Sequence, residues 1–326
     1  QMTTETKAEN EYRPINPRLL GNGFNFNFNL YYKTHADGQV KFLKFADQTD
    51  QHKDKIQSLL DSGDLEEELF VREMDMMGYY QQATEVLREY IVDTNISFEE
   101  KTGQVYDLSK DIMNQFFQYQ APTNLLKMAD PVMEMMDQVL AQKTVGFAGL
   151  GEILNKDYYT YTHSVNVGLY CMTYATKIGM PSIESRELGM GGMLHDVGKV
   201  AVPMEILNKV GRLTDQEFVE MKKHPEAGRD MLNGMGCFGG KISQMAYEHH
   251  EKFGGNGYPQ GLSGENISFE GRICKVMDVY DALTTRRAYK APMTPFKALE
   301  IMINEMGPEF DTNVLNQFVK FLGQEA

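Results

Sequence analysis

Five of the seven histidines in this 326-residue chain lie in its second half, where two aspartates accompany them. These residues are His163, His195, Asp196, His224, His249, His250 and Asp278. Imidazole nitrogens and carboxylate oxygens form the mixed ligand set that divalent transition metals accept. An aspartate can bridge two metals, because each carboxylate oxygen can bind one. The set therefore suits two neighbouring metals, an arrangement that activates water and neutralises anionic substrates.

Residues 249–268 read HHEKFGGNGYPQGLSGENIS and place two histidines side by side before a glycine-rich loop. Adjacent residues on a helix point about 100° apart, so two neighbouring imidazoles rarely bind a single metal. The pair either serves two metals or is a surface pair at a helix end, where positive charge suits the helix dipole. These two residues alone leave both interpretations open. The other donors in the same half of the chain favour the metal site.

Helices must position these donors, because the sequence from Tyr158 onward alternates helical patterns with loops and has no convincing strand. DYYTYTHSVNVGLYCMTYATKIG is a predicted helix that carries His163. MGGMLHDVGKVAVP places His195 and Asp196 beside a helix end, which glycine and proline mark. We therefore predict an all-α C-terminal domain in which five successive helices deliver the donors.

The remaining donors lie on later helical segments. TDQEFVEMKKHPEAGRDML opens with a capping pattern at Thr214 and Glu217, and it carries His224. GRICKVMDVYDAL carries Asp278, and Asp281 follows one helical turn later. Asp281 either orients a ligand histidine from outside the metal shell or has a plain surface or capping role. The sequence leaves these two roles open.

The N-terminal region has the period-2 pattern of β-strands. The run from Phe24 to Leu30 alternates apolar residues with asparagines, and a second run, Val40 to Ala46, follows an Ala-Asp-Gly turn. Together they predict a hairpin. A third strand is predicted over Glu68 to Arg72, and the helical pattern GYYQQATEVLREYIV follows it.

Helical periodicity begins again at Ser97. SFEE contains the serine and glutamate of a capping box, and apolar residues from Val105 to Phe116 repeat at three- and four-residue steps. Leu125 to Leu140 is another such stretch. We predict a multi-domain chain with a small α/β regulatory or interaction module, a helical linker and an all-α domain. Their predicted ranges are 1–120, 121–148 and 149–326.

Composition limits the classes of function. A formal net charge of −14 argues against duplex nucleic acid as a partner, since duplex binding relies on a basic surface. Three widely separated cysteines indicate neither a disulfide framework nor a CxxC zinc site. No run approaches the roughly 18 consecutive apolar residues of a membrane span. These features predict a cytoplasmic protein without a membrane span.

Several motifs follow one another in a defined order: HD with GK at 195–199, then His224, HHE at 249–251, GYP at 257–259, and RICKVMDVYDALTTRRAY from Arg272. This set resembles the HD-GYP family of metal-dependent phosphodiesterases, a branch of the HD superfamily, over about residues 150 to 320. The resemblance implies an HD-type helical catalytic domain. It also implies that the seven donors listed above are the metal ligands, with Asp196 as the bridge.

By the same resemblance, the substrate is cyclic di-GMP. The implied products are pGpG and, in some members, GMP, formed by a hydroxide that bridges two metals. Iron and manganese are the metals typical of the family, and zinc or nickel suit the same ligands. Asp196 and Lys199 match catalytic positions, and Lys199 matches the lysine that contacts the scissile phosphate. Tyr258, Arg287 and Lys290 match substrate-binding positions.

Two other functions stay open. One is a catalytically weak cyclic dinucleotide receptor or scaffold, whose GYP loop docks on a partner such as a diguanylate cyclase domain. The other is an HD-type phosphohydrolase of a different nucleotide. The complete donor set and Lys199 favour an enzyme. The sequence does not decide whether the N-terminal module forms a homodimer.

Three positions depart from the family pattern. Some members carry a glutamate four residues before the first ligand histidine, where it helps to hold a third metal, but this chain has Tyr159. We therefore predict two metals. Gly254 replaces a common aspartate, which is expected to loosen the loop. Arg286 replaces a usual aspartate beside the substrate-contacting arginine, and it makes that edge of the site more basic.

Overall fold

The computed structural model describes residues 11–20, 28–36, 39–46, 69–119, 121–142, 150, 154, 159–285 and 292–323. The chain divides into two compact units, Gln1–Met135 and Met136–Ala326. The division falls inside the segment that was predicted to be a linker. Within the described ranges, no helix is both long and apolar enough to cross a membrane.

The first unit contains a four-stranded antiparallel sheet in the order β1-β4-β2-β3. The strands are β1 (Tyr12–Ile15), β2 (Leu30–Ala36), β3 (Gln39–Ala46) and β4 (Leu69–Arg72). Aromatic side chains also join strands that are not adjacent in the sheet, as in the stacked pair of Tyr12 on β1 and Phe42 on β3, whose ring centroids lie 4.2 Å apart.

The predicted hairpin is present as β2 and β3, but its first strand is displaced along the chain. The alternating run from Phe24 predicted a strand that ends at Leu30, whereas β2 begins at that residue. Residues 24–27 lie outside the described part of the chain. The second strand of the hairpin and the third predicted strand are confirmed as β3 and β4. β2 reaches further than the sequence pattern indicated because it pairs with both β3 and β4.

Three helices follow the sheet: α1 (Met76–Val92), α2 (Phe98–Gln118) and α3 (Ala129–Ala141). The capping box predicted at SFEE is confirmed, because the Ser97 side chain accepts a hydrogen bond from the Glu100 amide and the Glu100 carboxylate accepts one from the Ser97 amide. The predicted apolar face of α2, from Val105 to Phe116, is buried. A 3₁₀ helix, Thr123–Met128, leads directly into α3.

The described residues of the second unit form helices and connecting loops, without a strand, as predicted. Its helices are α4 (Thr160–Lys177), α5 (Ser182–Leu194), α6 (Met204–Leu207), α7 (Asp215–Met221), α8 (His224–Met235), α9 (Gly240–Glu248), α10 (Phe269–Thr284), α11 (Pro295–Asn304) and α12 (Thr312–Gly323). Short 3₁₀ helices at Val197–Ala201, Gly264–Asn266 and Gly307–Glu309 connect some of them.

Glycines bring α4 and α5 into close contact. A Cβ atom on Gly192 would lie 2.9 Å from the carbonyl oxygen of Val167 and 3.0 Å from Cα of Gly168. Real Cβ atoms essentially never approach other atoms this closely without displacing them, so a larger residue would push the two helices apart. The contact lies near the middle of α4 and close to the C-terminal end of α5. It sets the separation between α4, which carries His163, and α5, which His195 and Asp196 follow.

The segment from Thr214 to Leu232 is two helices, where the sequence pattern suggested one. The capping box of Thr214 and Glu217 is present and begins α7, but α7 ends at Met221 and α8 begins at His224. Proline lacks an N–H and suits the first turn of a helix, so Pro225 favours a new start at this point. The break places His224 at a helix N-terminus.

Candidate metal centre

The seven predicted donors lie together at one end of the second unit. His163 lies within α4 and Asp278 within α10, whereas His224 is the first residue of α8. The other four follow helix C-termini: His195 and Asp196 come after α5, and His249 and His250 come after α9. His195 and Asp196 thus lie beside a helix end, as predicted, and His249 and His250 lie in the turn where α9 ends. A turn lets consecutive residues point in different directions, so neighbouring donors can reach different parts of one cluster.

Asp196 lies at the middle of the cluster and presents a different oxygen to each side. Its Oδ1 is 3.3 Å from Nε2 of His224 and 3.6 Å from Nε2 of His249. Its Oδ2 is 3.3 Å from Nε2 of His195 and 3.9 Å from Nε2 of His163. The Asp196 side chain is almost completely buried. This placement suits a carboxylate that bridges two cations.

Asp278 and His250 complete the two sides. Oδ1 of Asp278 is 3.1 Å from Nε2 of His163 and 4.0 Å from Nε2 of His195. The His250 ring centroid is 4.1 Å from that of His249 and 5.0 Å from that of His224. One group thus contains His163, His195 and Asp278, the other contains His224, His249 and His250, and both share Asp196.

The backbone fixes which nitrogen of each ring faces the centre. Nδ1 of His195 is 2.6 Å from the Gly192 carbonyl oxygen, Nδ1 of His224 is 2.7 Å from that of Met221, and Nδ1 of His249 is 2.9 Å from that of Ala246. A carbonyl only accepts, so each Nδ1 must carry the proton and donate it. In the neutral rings, each Nε2 then offers a lone pair to the interior of the cluster.

These lone pairs need a cation. Nε2 of His224 and Nε2 of His249 lie only 3.2 Å apart, although in the neutral rings neither has a proton to share. Within the described chain, Nε2 of His195 and Oδ1 of Asp196 are buried without a hydrogen-bond partner. Buried polar atoms normally have partners. The nitrogen and oxygen donors present here therefore fit divalent transition metals.

The charge states of the cluster are consistent with metal binding. Burial lowers the pKa of His249 to about 4, so this ring is neutral and can act as a ligand at pH 7. Burial also acts to lower the pKa of His195, but the adjacent Asp196 carboxylate raises it to about 9. Burial would raise the pKa of Asp196, yet Lys199 and His195 hold it well below its usual range. A metal that binds His195 must therefore displace a proton.

Asp281 positions a histidine of the cluster. Its carboxylate is almost completely buried, with Oδ2 2.8 Å from Nδ1 of His163 and Oδ1 accepting a hydrogen bond from Nδ2 of Asn166 at 2.9 Å. The sequence left open a positioning role and a surface or capping role. These contacts establish the positioning role, because a carboxylate at Nδ1 fixes the orientation of the ring and increases the basicity of its Nε2.

A cavity of about 440 Å³ opens on the cluster, and five of the seven donors contribute to its lining. Lys199 lies at its edge with Nζ 2.5 Å from Oδ2 of Asp196. The Tyr258 ring stacks on His250, with centroids 4.7 Å apart and an interplanar angle of 22°. Both residues therefore lie where the sequence placed them, beside the cluster. Arg287 and Lys290 fall outside the described residues, as does Arg286.

Glu251 organises the loop that carries Tyr258, a role that the sequence did not assign to it. Its buried carboxylate accepts three backbone N–H groups, from Gln260 at 2.7 Å, Gly261 at 3.1 Å and Leu262 at 2.9 Å. Residues 260–262 therefore fold back over the end of the HHE motif. A glutamate directly after the two histidines was the available signal, but its hydrogen-bond partners, nine to eleven residues later, could not be inferred.

The expected loosening at Gly254 is corrected by the structure. The Gly254 amide donates to the carbonyl oxygen of Pro308 at 2.8 Å, and the Phe253 amide donates to that of Glu309 at 2.9 Å. A Cβ on Gly254 would lie 2.8 Å from the Pro308 oxygen. Glycine thus permits a close backbone contact that an aspartate would obstruct. Tyr159, in place of the third-metal glutamate, has a side chain that is largely exposed to solvent.

Comparison with known proteins agrees with this architecture. Residues 124–314 match the model of the HD domain family. A cyclic di-GMP phosphodiesterase of Pseudomonas aeruginosa is 41% identical over 174 residues, which cover 53% of this chain and 42% of that protein. A 3′3′-cGAMP-specific phosphodiesterase of Vibrio cholerae is 39% identical over 160 residues, which cover 48% of this chain and 30% of that protein. The chain thus spans less than half the length of these curated relatives.

One solved structure has the same fold. It is an HDG"Y"P protein from Bdellovibrio bacteriovorus, with a TM-score of 0.67 and 15% sequence identity over 96% of this chain and 100% of that chain. At this level of identity, the likeness concerns the fold alone. It extends beyond the helical domain to the region that contains the small antiparallel sheet.

Proposed function

The chain belongs to the HD domain family, and from that premise we propose that it is a metal-dependent phosphodiesterase that hydrolyses cyclic di-GMP to pGpG and onward to GMP. The observation that carries this proposal is the shared position of Asp196 between two groups of three donors each. Such a cluster suits two divalent cations, for which we propose iron, with manganese as an effective replacement. The similarity to a protein named a cyclic di-GMP phosphodiesterase supports the choice of substrate.

The two groups of donors define which residues would hold each cation. His163, His195 and Asp278 would hold one, whereas His224, His249 and His250 would hold the other. Asp196 would contribute one oxygen to each. When bound, two such cations neutralise the non-bridging oxygens of a phosphodiester and lower the pKa of a bound water towards about 7.

Lys199 is the residue that we propose to act on the scissile phosphate. Its ammonium group lies at the edge of the cavity and contacts Oδ2 of Asp196 at 2.5 Å, so it is within reach of a phosphate held at the same carboxylate. It would stabilise the negative charge that develops on the phosphate oxygens. Removal of a donor of this kind typically lowers kcat by about 100- to 1000-fold. Asp196 and Lys199 are therefore the proposed catalytic pair.

Tyr258 is proposed to contact the substrate at the mouth of the cavity. Its ring is stacked on His250, so it lies directly beside the second group of donors. Arg287 and Lys290 are proposed to bind the substrate phosphates or bases from the segment after α10. Residues 1–120 would then act as a regulatory or interaction module for this helical domain.

A second candidate substrate is 3′3′-cGAMP. The similarity to a 3′3′-cGAMP-specific phosphodiesterase favours it as the next choice. The chemistry would be the same, because both molecules are cyclic dinucleotides closed by two phosphodiesters. The difference between a guanine and an adenine base would then be recognised outside the metal cluster.

The test is a direct assay of hydrolysis. The protein is purified with Fe²⁺ under anaerobic conditions, or with Mn²⁺, and cyclic di-GMP, pGpG and 3′3′-cGAMP are followed by chromatography. We expect cyclic di-GMP to be hydrolysed fastest, and Asp196→Ala to abolish turnover. Asp130→Ala, which removes an exposed carboxylate on α3, is the matched control and should retain full activity.

Two outcomes would contradict the proposal, and a third would invalidate the assay. Faster turnover of 3′3′-cGAMP would establish the second candidate substrate. Binding of cyclic di-GMP without hydrolysis, and unchanged in Asp196→Ala, would indicate a receptor instead of an enzyme. Equal loss of activity in Asp130→Ala would show that the assay reports general damage to the protein and not the metal centre.

A further inference from the structure

Lys275 is a buried lysine that lines the candidate active-site cavity. It lies on α10, one helical turn before the cluster residue Asp278, and its side chain is only 10% exposed. Lysine is almost never this buried unless its ammonium group is paired, because removing that charge from water is costly. The partners of Lys275 therefore decide what its charge can do.

The ammonium group of Lys275 is only loosely paired. Its nearest carboxylate oxygen is Oε2 of Glu309, at 3.8 Å, which is beyond hydrogen-bond distance. The other oxygen of Glu309 accepts a 2.8 Å hydrogen bond from Lys252. Two lysines thus share one carboxylate, and Lys252 has the shorter contact. This leaves a net positive charge where Lys275, on α10, lines the cavity.

Lys275 and Lys199 have different ion-pair partners. Lys199 contacts Asp196 directly, at 2.5 Å. In the parts of the chain that the structure describes, the Lys275 ammonium group forms its ion pair with Glu309 and lies within 4.0 Å of neither Asp196 nor Asp278. The cavity therefore has one lysine in contact with Asp196 and a second, Lys275, that lines it without an ion pair to Asp196 or Asp278 among the described residues.

We propose that Lys275 binds the second phosphate of the substrate, the one that is not cleaved. This inference rests on the proposed function, since a cyclic dinucleotide carries two phosphodiesters. When one is held at the cluster beside Lys199, the other must find its own cation within the same cavity. The linear product pGpG also carries a second phosphate, at its 5′ end, and the same lysine would bind it. Lys275 would thus make the site selective for dinucleotides over substrates with a single phosphate.

The inference predicts a loss of activity that depends on the substrate. Lys275→Met removes the charge and keeps an unbranched apolar side chain. Charge-assisted hydrogen bonds of this kind correspond to about 10- to 100-fold in affinity. We therefore expect kcat/KM for cyclic di-GMP to fall about 10- to 100-fold more than kcat/KM for bis(p-nitrophenyl) phosphate, which has one phosphate. The change should lie mainly in KM, because a remote phosphate is bound equally in the ground state and the transition state.

Lys297→Met is the control. It removes an exposed lysine of the second unit that pairs with Glu300, and Lys297 does not line the cavity among the described residues. We expect it to leave the ratio of the two kcat/KM values within about 2-fold of the wild type. Lys275→Arg should restore part of the preference for the dinucleotide, because it restores the charge. Metal content should be the same in all four proteins.

Comparing the two substrates and measuring the metal content distinguish a failure of this inference from a failure of the proposed function. An equal fall for both substrates in Lys275→Met, or loss of metal, would overturn the inference, because Lys275 would then act at the cluster or in folding. The same ratio change in Lys297→Met would also overturn it. A selective loss for cyclic di-GMP alone or for pGpG alone would identify which of these two phosphates Lys275 binds. If the wild type cleaves bis(p-nitrophenyl) phosphate but no cyclic dinucleotide, the proposed function fails first, and the inference fails with it.

Discussion

Replacing Glu251 with glutamine tests how the loop over the cavity is held. The carboxylate accepts the amides of Gln260 and Gly261 with one oxygen and the amide of Leu262 with the other. Glutamine keeps one oxygen but places an NH₂ group where the second oxygen was. That NH₂ group would then face a backbone N–H, which is also a donor, so one hydrogen bond is lost. The two remaining hydrogen bonds would be weaker because their acceptor is no longer charged.

The magnitude follows from these three contacts. A hydrogen bond to a charged group contributes about 1.5 to 3 kcal/mol and one to a neutral group about 1 kcal/mol. Loss of one charged bond and weakening of two others should destabilise the closed loop by about 3 kcal/mol. This corresponds to about 100-fold faster hydrogen exchange at the amides of Gln260, Gly261 and Leu262, if exchange proceeds by local opening of the loop.

Activity should change with the loop, whereas metal content should not. We expect kcat/KM for cyclic di-GMP to fall at least 10-fold in Glu251→Gln, because Tyr258 depends on the closed loop for its position beside His250. Glu265→Gln, an exposed glutamate next to the same loop, is the control. Exchange rates that are equal in Glu251→Gln and Glu265→Gln would refute this account of the loop.

Three further predictions concern the support of the cluster and the stability of the fold. Asp281→Asn should weaken metal affinity about 10-fold, measured by competition with a chelator, because His163 loses its charged partner. Gly198→Ala should cost about 3 kcal/mol in denaturant unfolding, since its Cβ would lie 2.0 Å from a backbone oxygen, whereas Gly234→Ala meets no atom within 4 Å and should cost nothing. Burial raises the pKa of Asp111 from 3.8 to about 6. The contribution of Asp111 to the free energy of unfolding is therefore greatest below about pH 3.8, where the group is neutral in both the folded and the unfolded chain, and it is lost as the pH rises through 6. Asp111→Asn should therefore be more stabilising at pH 8 than at pH 5, by about 1 kcal/mol in chemical unfolding, and an equal effect at both pH values would contradict the assignment.

Local signals in the sequence predicted much of the fold. The capping boxes at Ser97 and Thr214 depend on residues three positions apart, so the sequence contains both partners. The helices that carry His163 and Asp278 were likewise predicted from their periodicity. The displaced start of β2 was not predicted, because the ends of this strand depend on its pairing with β3 and β4.

The candidate site was predicted as a list of donors but not as a geometry. The order of the HD, HHE and GYP motifs identified all seven donors of the cluster. The sequence could not assign an oxygen of Asp196 to each group, because that depends on where α5 and α9 end. It also gave no role to Glu251 or Lys275, since their partners lie at the end of the loop and at Glu309. Contacts between distant segments carry this information, and a single sequence does not.

The central claim is that seven donors form one centre for two metals that share Asp196. The most direct test is the metal content of the anaerobically purified protein, measured by mass spectrometry of the elements after removal of loosely bound ions. We predict about two equivalents of metal per chain in the wild type and in Asp130→Ala, and less than one in Asp196→Ala. One equivalent in the wild type, three equivalents, or an unchanged value in Asp196→Ala would contradict the account.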